Sequence, residues 1–70
     1  MSNNTKLYNV PRETKVKLME NPGVPVGSKQ LKTGDVLMFD HVDGMYSYCI
    51  TEDGEIVHPA AWTKVEIIKE

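Results

Sequence analysis

The sequence predicts a small all-β barrel of five strands, and three observations carry that expectation. Turn signals containing glycine recur at Gly34-Asp35, Asp43-Gly44 and Asp53-Gly54. Short runs rich in apolar, β-branched and aromatic residues lie between them. No stretch holds a convincing helical period, and there is no repeat and no low-complexity tract.

Taken in order, Met1 to Thr5 is polar and is expected to be a disordered leader (1–5) ahead of one domain spanning 6–70. Val10-Pro11 predicts an extended or turning segment, because the residue before proline is pushed out of the helical region. Thr14 to Met19 is the first good strand, with Val16 and Leu18 alternating with Lys15 and Lys17. Asn21 to Ser28 carries two prolines and two glycines and reads as an irregular loop. Leu31 to Asp35 leads into the apolar strand Val36 to Phe39. After the Asp43-Gly44 turn comes a strand from Met45 to Thr51, then the Asp53-Gly54 turn, a short strand Glu55 to His58, a turn Pro59 to Trp62 and a closing strand Val65 to Ile68. Leu37 and Phe39 are expected in the core, joined by Ile56, Val65 and Ile67. Tyr46, Tyr48 and Ile50 share one face of their strand, and Met45, Ser47, Cys49 and Thr51 share the other. Period alone leaves open which face is buried, since a one-residue slip exchanges them.

A chain of 70 residues makes one domain. At this size only about 60% of the unfolded surface is buried, so completion by a partner, including a homo-oligomer, is an open option. The single Cys49 excludes an internal disulfide, and no apolar run approaches the ~18 residues of a membrane span. Nothing near Met1 resembles a signal peptide, so a cytoplasmic protein with no membrane partner is expected. The formal net charge of -2 argues against generic nucleic-acid affinity. The charge is unevenly placed: residues 1–32 hold Lys6, Arg12, Lys15, Lys17, Lys29 and Lys32 against Glu13 and Glu20, and residues 33–70 hold eight acids against Lys64 and Lys69. Such polarity suits either subunits meeting head to tail or a basic face presented to an anion.

His41, Cys49 and His58, with Asp40 and Asp43, are the one constellation that suggests chemistry. A thiol nucleophile needs an imidazole beside it, and a catalytic zinc needs three ligands and an open position. Their spacing supports neither, because a lone mid-strand cysteine behaves as a small buried hydrophobe. The sequence therefore predicts no enzyme, no catalytic residue, no metal ligand and no cofactor.

Leu31 to Leu37, then Asp43-Gly44-Met45-Tyr46, then Pro59 to Val65 resemble the Src-homology-3 pattern. That pattern has a lysine-glycine-acid diverging turn, an acid-glycine-aromatic strand start, and a proline-x-x-tyrosine turn before the last strand. Leu7-Tyr8-Asn9 is similar to the family's opening leucine-tyrosine-acid segment. The resemblance covers most of the chain and implies an SH3-like barrel with a 3-10 turn before the last strand. It departs at Met45, where the family has a groove aromatic, and at Asn21 to Ser28, where it has an acidic loop. These departures argue against PxxP recognition, yet Tyr8, Tyr46, Pro59 and Trp62 can still line a groove on which a peptide or a base packs.

Asp40 to Cys49, together with Val57 to Trp62, also resembles segments of very small proteins of tailed bacteriophages. That likeness implies an accessory protein for host takeover or anti-defence, acting in the host cytoplasm. The leading expectation is a binder that sequesters a host protein or a small nucleotide ligand. In the nucleotide version Tyr46, Tyr48 or Trp62 stacks on the base, and Arg12, Lys15 or Lys17 meets the phosphates. The alternatives are an SH3-like peptide module and a barrel for single-stranded nucleic acid, against which the net acidity speaks.

Overall fold

The structure, a computed structural model, describes residues 4–68. Among them are β1 (Asn4–Lys6), β2 (Thr14–Leu18), β3 (Val36–Asp43), β4 (Tyr46–Thr51), β5 (Ile56–Val57) and β6 (Lys64–Ile67), with one 3-10 turn at Leu7–Asn9. They form a single antiparallel sheet in the order β1-β6-β2-β3-β4-β5, which curls but does not close. The all-β expectation therefore holds, with six strands in place of five.

The extra strand takes Asn4 and Thr5 from the expected leader and Lys6 from the start of the expected domain. Asn4, Thr5 and Lys6 pair with Glu66, Val65 and Lys64. The open edge of β6 supplies backbone partners to a polar segment that has no apolar pattern of its own. Met1 to Asn3, the rest of the expected leader, lie outside the described residues.

β3 runs four residues further than its apolar stretch implies. A bulge between Phe39 and His41 skips Asp40, and the alternation then resumes with His41 opposite Tyr48 and Val42 opposite Ser47. The 3-10 turn also stands elsewhere than expected, near the start of the chain. Before β6 there is a hydrogen-bonded turn in which Thr63 donates to the Ala60 carbonyl from both its N–H (3.1 Å) and its Oγ1 (2.7 Å).

Leu7, Val16, Leu18, Leu37, Phe39, Cys49, Val57 and Val65 are the centre of the core, and Ile67 packs against it half-buried. Ile56 corrects the expectation: it is 62% exposed, and Val57 is buried in its place. The cause is register, for Val57 pairs with inward Cys49 while Ile56 pairs with outward Ile50. The same register settles the faces of β4. Ser47 and Cys49 point in, opposite the bulk of Phe39 and Val42, and Tyr48 and Ile50 point out.

The long loop between β2 and β3 is tied at both ends. Asn21 Oδ1 accepts from the Thr33 N–H (2.8 Å) and hydroxyl (3.0 Å), and Leu18 exchanges backbone bonds with Gly34 and Asp35. The β3–β4 hairpin turns on Gly44 and Met45, with Gly44 at φ 70°. A β-branched side chain resists that left-handed conformation. Gly44→Val is expected to lower stability by roughly 1–2 kcal/mol, read from urea unfolding; an unchanged midpoint would contradict the turn.

Candidate functional site

The residues expected to bind divide between two surfaces. One is built on the segment from Pro59 to Thr63, which threads between the 3-10 turn and the β3–β4 hairpin. On one side the Tyr8 N–H donates to Ala61 O and the Leu7 N–H to Thr63 O, both at 3.0 Å. On the other the Ala61 N–H donates to Met45 O at 2.9 Å, and Ala60 bridges Tyr46. Three chain segments are thus fastened into one platform. Its exposed apolar side chains are Tyr8 (57%), Met45 (63%) and Trp62 (50%), with Tyr46 half-buried among them in sequence and register.

Pro59 corrects the expected groove, because it is fully buried and is a strut beneath the surface. Its carbonyl accepts both the Ser47 N–H and the Ser47 hydroxyl, each at 2.8 Å. With that hydroxyl committed, the Cys49 thiol at 3.5 Å is the donor to Ser47 Oγ. A buried chain of hydrogen bonds from Cys49 through Ser47 to Pro59 therefore sets where the turn bearing Trp62 sits.

The second surface is the outer face of β2 to β5. It carries Tyr48, Lys15 and Lys17 from the expected set, with Arg12 at its border. Tyr48 lies between two histidines: the His41 ring stacks on it (centroids 4.6 Å, planes 11° apart) and the His58 ring meets it edge-on (4.6 Å, 81°). Each histidine is oriented through Nδ1, which in His41 donates to Asp40 Oδ2 (3.1 Å) and in His58 to Ser47 O (3.2 Å). Arg12 Nη2 also donates to Asp40, at 3.2 Å. The hydrogen bond from His41 first, and that from Arg12 next, hold the Asp40 carboxyl below its usual range. The ring ladder escaped the sequence reading because the bulge after Phe39 brings His41, not Asp40, opposite Tyr48.

Cys49 stands apart from both histidines, facing the core while they lie outside. Burial pushes its thiol up to about 11. The fold thus holds the protonated thiol. Stability from this source is complete below about pH 9 and is lost as the pH rises through about 11. Urea unfolding is expected to show Cys49→Ala losing about 1–3 kcal/mol less than the parent across that window; equal losses would contradict the burial. Among the described residues no group of three His, Cys, Asp or Glu side chains is placed to hold a metal ion, and no helix is long and apolar enough to cross a membrane.

No protein-family model, curated protein or solved structure matches the chain.

Proposed function

We propose that this protein is a non-enzymatic binding module on an SH3-like barrel, which takes an extended apolar segment of another protein across Tyr8, Met45, Tyr46 and Trp62. One observation carries the reading. Three large apolar side chains, each at least half exposed, stand on three segments locked together by backbone hydrogen bonds. Rigid aromatic side chains on a fixed base lose little entropy when they bind, which suits them to anchor a partner. In the setting implied by the tailed-phage resemblance, that partner is a host protein occupied by a small accessory protein.

The nucleotide version draws on the other surface and is less well supplied. Tyr48 is already engaged by His41 and His58, and Arg12 is already paired with Asp40. Trp62 and Tyr8, the more exposed rings, belong to segments that carry none of the candidate cations. A protein ligand is therefore the reading carried forward.

Selection of a random-peptide display library on the immobilised protein tests it. Enriched peptides with apolar anchors that bind the parent and ignore Trp62→Ala are expected. No enrichment, or peptides that bind both equally, would count against the site.

A further inference from the structure

We infer that the outer sheet face over Val36, Met38 and Ile50 is a contact surface for a second copy of this chain. Met38, Ile50 and Ile56 are cross-strand neighbours on β3, β4 and β5, and so make one continuous outward apolar row. Met38 and Ile50 are 39% and 40% exposed, and Ile56 more so. Beside this row lies an open cleft of about 310 Å³, whose lining includes Lys15, Val36, Met38, Ile50 and Glu52.

Charge selects the occupant. On β2, Lys17 pairs in register with Val36. On the far side of Val36, Glu52 follows Thr51, the residue paired with Leu37. The apolar strip is therefore bordered by a cation on one side and an anion on the other. Neither makes an ion pair among the described residues, and Glu66, the cross-strand neighbour of Lys17, is not within ion-pair distance of it.

A surface of this kind is complementary to itself. A two-fold axis lying in the interface along β3 maps the β2 side of one copy onto the β4 side of the other. Lys17 of each copy then faces Glu52 of its mate, and Met38 meets Met38 over the axis. Both charges gain a partner and Met38 is covered by its counterpart, while Ile50, which lies to one side of the axis, meets Lys15 of the mate, the residue in register with Met38.

The pairing leaves the Tyr8, Met45 and Trp62 surface free. Ile50 lies five residues along from Met45, roughly 17 Å in a strand. The dimer would display two copies of that surface, although this inference stands on different residues and does not depend on the binding reading.

Sedimentation equilibrium of the full chain from low micromolar to millimolar concentration tests it. A monomer–dimer equilibrium is expected, weakened by salt and weakened tenfold or more by Ile50→Lys. Glu52→Lys should weaken it several-fold, and adding Lys17→Glu to that variant should restore it to within about threefold of the parent. A monomer at every concentration would overturn the inference, as would a dimer indifferent to both single changes. Failure of the charge exchange to restore association would overturn it too, and that pair of surface changes decides the matter even if circular dichroism shows Ile50→Lys to be misfolded.

Discussion

Leu18→Ala is expected to remove about 3 kcal/mol of stability, within the 2–5 kcal/mol usual for a buried leucine. Leu18 is fully buried and pairs with Val65, so it joins β2 to β6 at the middle of the core. Its backbone also carries the tie to the loop, donating to Asp35 O and accepting from the Gly34 N–H, both at 2.8 Å. Truncation leaves a cavity between two strands that the backbone bonds keep in place, so collapse around it is limited. At roughly 0.05–0.15 kcal/mol per residue, a domain of this length has only about 4–10 kcal/mol in total. The variant should thus keep only about 1–7 kcal/mol, with a midpoint shift visible by circular dichroism in urea. A loss under 1 kcal/mol would contradict the position of Leu18 at the centre.

Trp62→Ala is expected to do the reverse, abolishing ligand binding with little cost to the fold. A core tryptophan costs about 3–5 kcal/mol on truncation, but half of Trp62 is exposed and the turn beneath it is held by Pro59, Ala60 and Thr63. The stability loss should stay below about 1 kcal/mol, in the range of surface changes. An aromatic anchor at an interface commonly contributes 2 kcal/mol or more, so affinity for a selected peptide should fall at least about 30-fold. Both quantities come from one preparation, by calorimetric titration and urea unfolding. A large stability loss would instead make Trp62 a structural cover for the end of the sheet.

The hairpins were legible because their signals are local: Asp43-Gly44 and Asp53-Gly54 mark turns whatever surrounds them. Leu37, Phe39 and Val65 were legible as core for a similar reason, since short apolar runs between turns must be buried. β1 was not, because Asn4 to Lys6 is a strand only through the edge that β6 offers it. Nor was the exchange of Ile56 for Val57, which depends on a register that two adjacent apolar residues leave degenerate. The family resemblance groups Tyr8, Tyr46, Pro59 and Trp62; the backbone bonds between their segments bring Tyr8, Tyr46 and Trp62 together with Met45, and Pro59 lies buried beneath them. Residue type alone adds Tyr48, Lys15 and Lys17 to that group. Place on the sheet separates these three from the platform, for Tyr48 shares the outward face of Tyr46 but sits between His41 and His58, and Lys15 and Lys17 stand on β2 between β3 and β6; no inventory of aromatic and basic residues contains that information.

The most direct measurement is a map of backbone and indole amide shifts as a selected peptide is added to isotope-labelled protein. The proposed function predicts that the largest changes fall on Tyr8, Met45, Tyr46, Ala61 and the Trp62 indole. Changes confined to Lys15, Met38, Tyr48 and Ile50 would contradict it and move the ligand site to the outer sheet face.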